Sequence, residues 1–320
     1  MSVAIAPPAE VTAPPAPAPV PALEMPRTKR RGFGFMFWAC SVWVGIVVVC
    51  AVLGERLPFA NKDPDYLTAA YINDGKWSKV FSWNHPLGTS QNGDDWLSAA
   101  VVGSRNSMII AFATVIFGFL LGGGLGMIAG FMRGRVDTVL TFFATVLLSY
   151  PPLLFIILLL TLLAAGNSTG VSEGLEASVW KLSLSLGILS IPTLYRVVRA
   201  STMQFADREF VLAARSMGAS RARILLREIL PNVVKPMLAY GLVAAGSVMV
   251  IEASLSYLGI GVGDTWAWGK MIATGAGLSV LRKGPNVAFV PIVILFMTVI
   301  SFNFIGDKLR ERLEVKQGGI

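Results

Sequence analysis

The sequence predicts an all-α polytopic membrane protein with about six transmembrane helices and with both termini in the cytoplasm. Three observations lead there. Of the 320 residues, 54% are hydrophobic and 14% charged, against roughly 25% charged in soluble domains. With a mean hydropathy of +0.64, such a chain cannot cover itself with polar surface. Apolar runs of spanning length recur along it, and six helices of about 20 residues would use roughly 120, leaving room for loops, a tail and one sizeable extramembrane segment. Basic residues gather in alternate polar segments, the pattern that sets topology. The net charge of +8 therefore reads as topology beside membrane lipid, and nucleic acid is not expected as a partner.

Residues 1–32 form the first unit. A Pro/Ala-rich stretch cannot bury enough apolar surface to fold alone, and Arg27, Lys29, Arg30 and Arg31 follow it. It lacks the charged start, apolar core and small-residue cleavage site of a signal peptide, so a disordered basic cytoplasmic tail is expected. The first span follows at 33–53, with Phe33, Phe35, Phe37 and Trp38 at the height of an interfacial aromatic belt. Cys40 and Cys50 lie in it, roughly 80° and about 15 Å apart on one helix. They are too distant for a disulfide and read as apolar filler. Residues 54–103 are the longest polar interval, expected outside the cytoplasm, with Pro, Gly and Asn marking turns. The lone histidine, His85, is read there as an outer-surface turn residue. No Cys/His/Asp/Glu group has metal-ligand spacing, and no metal site is expected.

Residues 104–306 hold the other five spans. The second, 107–131, carries Gly118, Gly122, Gly126 and Gly130 every four residues, so they share one face and let another helix approach closely. The third, 139–164, has Pro151 and Pro152 at its middle. That pair breaks backbone bonding, and it reads either as a bend lining a translocation path or as a packing kink. The fourth, fifth and sixth spans are expected at 179–198, 234–259 and 286–305, with a loop over 261–285 and Glu252 near an end of its span. A cytoplasmic tail, 307–320, closes the chain with Lys308, Arg310, Arg312 and Lys316. Lys270, Arg282 and Lys283 fall on the outer side, against the charge rule.

Between the fourth and fifth spans lies the most polar piece of the core, 205–231, with Arg208, Arg215, Arg221, Arg223 and Arg227. Asp207 is placed to cap a helix, and Phe210, Val211, Ala214 and Met217 recur on one small apolar face. Ala213 and Ala214 keep that surface shallow. Gly218 suits the left-handed residue that ends the helix. Ser220 is placed to cap a second helix, which Pro231 is expected to stop. The pair reads either as an insert for a groove on a separate partner or as a loop touching anionic lipid. No GxxxxGK[ST] pattern exists for binding nucleotide within this chain.

These residues carry a family resemblance. ARSMGAS (214–220) and the Ile229-Leu230-Pro231 end resemble the cytoplasmic coupling motif of ABC importer permeases. HPLGT (85–89), EASLSYLGIG (252–261) with Trp268-Gly269, and FNFIGDKLRERL (302–313) resemble, in order, blocks of the C-type permease of dipeptide and oligopeptide importers. The resemblance covers roughly 33–315 and implies a type I ABC importer permease fold. It also implies a transport subunit that is not itself an enzyme, with no cofactor in this chain and with ATP and magnesium in its partners. Those partners are a second homologous permease, two ATPase subunits or one fused ATPase, and an extracytoplasmic substrate-binding protein. It assigns ATPase coupling to Glu209, Ala213, Ala214, Gly218, Ala219, Ser220, Ile229, Leu230 and Pro231. Leu212 stands where the motif often has Glu, while Ser90 and Asp94 replace an Asp and an Arg that could form an outer salt bridge. Peptides are the expected substrate, with nickel chelates and haem as alternatives within the family. An ion-driven secondary transporter is the rival from outside it, although spans with few buried ionisable residues suit it poorly. A membrane anchor that carries out no transport is the other.

Overall fold

In lipid, backbone groups have to be satisfied within their own segment, so long apolar runs become helices. The computed structural model describes residues 34–56, 85–90, 94–165, 178–263 and 265–315; the Pro/Ala-rich tail, most of the long polar interval and the polar loop at 166–177 lie outside the described residues. Among the described residues there are, besides a 3-10 turn at Gly54–Arg56, ten longer helices: α1 Phe35–Leu53, α2 Trp96–Met132, α3 Gly134–Ser149, α4 Pro152–Ala165, α5 Val179–Ala206, α6 Glu209–Ser216, α7 Arg221–Tyr257, α8 Trp268–Gly275, α9 Leu278–Lys283 and α10 Asn286–Val315. Five are long and apolar enough to cross a membrane, and counting the bent pair α3–α4 as one crossing makes six. This is the all-helical, roughly six-span class expected from the sequence.

Several boundaries differ from expectation, each for a local reason. The second span begins at Trp96, because the Asp95 side chain caps it by accepting from the Ser98 N–H at 3.0 Å. The third span is two helices meeting at 94°. Pro151 and Pro152 each lack a donor, and Tyr150 is extended, as a residue before proline tends to be. The expected 261–285 loop contains α8 and α9. α8 forms with Trp268 and Met271 fully buried against the bundle, and α9 with Val280 buried, a tertiary gain that local composition does not reveal. Pro231 does not stop a helix. The wide π-helical turn Ile224–Ile229 precedes it and changes the bonding register from which the missing N–H would otherwise subtract. The backbone therefore runs on from Arg221 to Tyr257.

The helices pack in two groups that share α2. α7 and α10 run along one another, with α1, α2 and α8 against them; α5 lies along α2 and carries α3 and α4. Apolar burial does not drive helix association in lipid, so close packing and polar ties between helices matter more. Trp268 donates its indole N–H to the Ala100 carbonyl at 3.0 Å and its backbone N–H to Ser107 Oγ at 3.0 Å. Trp96 donates to the Val287 carbonyl at 2.9 Å, and Trp43 to Thr298 Oγ1 at 3.1 Å. Glu252 is buried in α7 beneath α8, one and a half turns before Tyr257, and accepts from Ser256 Oγ at 2.8 Å. A Cβ added at Gly269 would lie 2.7 Å from Ala253 Cα and 2.8 Å from the Glu252 carboxylate. Gly269→Ala is expected to cost about 1–3 kcal/mol, read as a lower unfolding temperature of the purified chain. Gly277→Ala, in ordinary van der Waals surroundings, leaves it unchanged.

Candidate functional site

The polar insert is a compact turn between two spans. α5 continues to Ala206, two turns past its expected end, so Asp207 closes α5 and does not open α6. Its carboxylate instead accepts from Arg133 Nη2 through both oxygens, at 2.7 Å each. A charged donor outcompetes backbone N–H groups for it. α6 starts after Arg208 without a side-chain cap. It ends in a turn where the Gly218 N–H bonds the Arg215 carbonyl and the Ala219 N–H bonds the Ala214 carbonyl. Gly218 has φ +77°, the left-handed value that favours glycine, and no atom surrounds the place a Cβ would take. Ser220 Oγ then accepts from the Arg223 N–H at 3.4 Å, capping α7.

The expected apolar face of α6 is divided. Val211 and Ala214 turn inward to a small core with Phe131, Val198, Phe205, Ile224 and Ile229. Phe210, Leu212, Ala213 and Met217 point outward. The chain's own core takes the Val211–Ala214 edge, and Met217 lies beyond the last helical turn. Of the residues singled out for coupling, Glu209, Ala213, Gly218, Ser220 and Pro231 are exposed. Ala219 and Leu230 are half-buried, while Ala214 and Ile229 are buried. Ala214 and Ile229 therefore shape the insert from within and do not present it to a partner.

Below the insert, α3 is tied to α5 by polar contacts. Only Ala144 of α3 is buried. The Arg199 guanidinium grips Asp137 through Nε and, at 2.6 Å, through Nη2. Thr141 bridges Asp137 and the Tyr195 hydroxyl at 3.2 and 2.9 Å. None of this was read from the sequence, although a signal existed: charges at Asp137, Arg196 and Arg199 inside or beside spans require partners. Asp137→Asn is expected to lose about 2 kcal/mol, measured as a fall in unfolding temperature. Asp137→Asn with Arg199→Gln should lose little more than either alone. An unchanged unfolding temperature for Asp137→Asn contradicts the tie.

The four glycines of α2 lie against α5. A Cβ at Gly118 would sit 3.1 Å from Ser190 Cβ, at Gly122 3.0 Å from Ile191 Cα, at Gly126 3.0 Å from the Arg199 nitrogen, and at Gly130 2.7 Å from the Arg199 carbonyl. From Gly122 to Gly130 the backbone of α5 lies directly against these positions, while at Gly118 the neighbours are the Ser190 and Leu194 side chains; a π-helical turn at Phe119–Gly123 lies within the seam.

At the opposite end of the bundle, His85 is buried and not a surface turn residue: its Nδ1 lies 2.9 Å from Asp95 Oδ1, beneath the start of α2. Asp95 thus holds the helix cap and the imidazole at once. Ser90 and Asp94 bond each other, Oγ to Oδ2 at 2.8 Å, so these two departures from the family block form their own turn. Lys270, contrary to the charge rule, is tied down by the Gly263 carbonyl and lies 5.8 Å from the Trp266 ring centroid.

Known proteins share this architecture. A family model described as the binding-protein-dependent transport system inner membrane component matches residues 122–316. The oligopeptide transport system permease protein OppC of Bacillus subtilis is 32% identical over 276 residues, which is 85% of this chain and 85% of that protein. The glutathione transport system permease protein GsiD of Pectobacterium atrosepticum is 31% identical over 280 residues, covering 87% and 86%. Among solved structures, a chain of the MetNI methionine ABC transporter in an inward-facing form aligns with a TM-score of 0.54 at 18% identity, over 68% of this chain and 97% of that one. At that identity the likeness is one of fold. Fold and relatives together define a multi-pass permease of the cytoplasmic membrane. The chain belongs to the binding-protein-dependent transport system inner membrane components, the permeases of ABC importers.

Proposed function

We propose that this chain is one of two permease subunits of an ATP-driven importer that carries peptides inward, and that the outward side of α6 couples it to an ATPase. The observation that carries the coupling half is the α6–Gly218 turn. An eight-residue helix is anchored from below by Val211 and Ala214, presents Leu212, Ala213 and Met217 to solvent, and is held between two spans. An apolar surface on the polar side of a membrane protein needs a covering partner. ATP and magnesium then belong to that partner, and substrate arrives on a separate binding protein. ATPase motion at α6 would pass through α5 and α7, the spans it joins, as a switch between two arrangements. The names of the relatives, oligopeptide and glutathione permeases, support a peptide substrate.

The test is reconstitution of the purified complex in liposomes with ATP on the ATPase side and binding protein with labelled peptide on the other. ATP-dependent peptide uptake is expected. Uptake driven by an ion gradient without ATP would overturn the mechanism. ATP-dependent uptake of a nickel chelate or haem, with none of peptide, would overturn the substrate.

A further inference from the structure

A cavity of about 470 Å³ lies beside α6, between the end of α2, the end of α5 and the start of α7. Three guanidinium groups line it, those of Arg133, Arg215 and Arg221, against one carboxylate, Asp207, which Arg133 already holds at 2.7 Å. Phe131 and Met132, where α2 ends, form part of its apolar wall. The Arg215 guanidinium lies over the Phe131 ring, 5.5 Å from its centroid, and is positioned by that stack. Arg133 keeps φ +52° and ψ −171°, a conformation that is nearly confined to glycine and persists only where the surroundings enforce it. An exposed apolar stripe leads away from the cavity along α2: Met132, Ile128, Leu125 and Leu121, at the i, i+3, i+4 spacing that shares one helix face.

We propose that this cavity binds the phosphate of an anionic phospholipid headgroup. Arg215 and Arg221 grip the phosphate, the Arg133–Asp207 pair forms the floor, and the α2 stripe takes an acyl chain. Guanidinium forks match phosphate oxygens in pairs. Basic pockets between spans on the cytoplasmic side are the setting in which such headgroups are recognised. A soluble anion would use the arginines but has no use for the apolar stripe, so the two features together favour lipid. The site would tether the α6 insert to the bilayer, a role separate from its docking surface.

The test uses the full chain in complex with its partner subunits, equilibrated in detergent with phosphatidylglycerol or phosphatidylcholine and weighed by native mass spectrometry. The wild type is expected to retain phosphatidylglycerol in preference to phosphatidylcholine. The Arg215→Gln, Arg221→Gln double variant should bind it about thirty-fold more weakly, the effect of two cations at an anionic surface. Lys235→Gln, on α7 away from the cavity, should match the wild type, and inorganic phosphate should not displace the lipid. Equal retention by the wild type and the double variant, or of both lipids, overturns the proposal. Displacement by inorganic phosphate reassigns the site to a free anion. Retention only in the chain stripped of its ATPase reassigns the arginines to an acidic group on that partner.

Discussion

Gly218→Val is expected to abolish ATP-driven uptake while leaving membrane insertion and the fold intact. At φ +77° a β-branched residue is an outlier, and holding it there costs about 1–3 kcal/mol. The space around the position is open, so the penalty is one of backbone alone. The chain can escape it by rebuilding the turn, which moves Met217 and the outward side of α6 relative to the cap at Ser220. ATP hydrolysis by the complex should continue, uncoupled, with uptake at least about tenfold lower, the equivalent of 1.4 kcal/mol. Gly218→Asn separates conformation from size, because Asn visits the left-handed region far more readily; it should retain most of the uptake. Normal uptake by Gly218→Val removes the turn from the coupling mechanism.

Gly122→Leu is expected to prevent the folded permease from accumulating. A Cβ at Gly122 would press on the Ile191 carbonyl and lie 3.0 Å from Ile191 Cα. The obstacle is helix backbone, which cannot rotate aside as a side chain can, so α2 and α5 have to separate. Separation gives up packing along the seam from Gly118 to Gly130 and strains the Arg199 ties at its end. Gly124→Leu is the internal control. It lies two positions along the same helix with nothing near its Cβ position, so it should fold as the wild type does. The readout is the yield of monodisperse protein after extraction from membranes. Equal yields from Gly122→Leu and Gly124→Leu contradict the seam.

The features legible in the sequence were those written in local pattern. Spans follow from runs of apolar residues, and the glycine seam follows from a four-residue repeat. The Gly218 turn follows from a glycine set between a helical stretch and a capping Ser220. What escaped depends on residues far apart in the chain. Asp137 and Arg199 are 62 positions apart and Arg133 and Asp207 are 74 apart, so the ties that orient α3 and claim Asp207 from its expected cap have no local signature. α8 escaped because Trp268 becomes helical through burial against α2, and α9 because Val280 is buried. The π-helical turn before Pro231 arises where two helical registers meet, and proline alone pointed to a stop. The division of α6 into buried Val211–Ala214 and outward Leu212–Met217 also needed the second core, which four separate helices assemble.

The central claim is that the outward side of α6 meets an ATPase, and crosslinking from Met217 tests it most directly. Met217 is 81% exposed at the end of α6, and Trp180 is 69% exposed at the start of α5, at the opposite end of that span. A photoreactive amino acid is placed at one or the other position in the assembled complex, which is then irradiated and separated by mass. The account predicts an adduct of this chain with an ATPase subunit from position 217 and none from position 180. No ATPase adduct from position 217, or one from position 180, would contradict it.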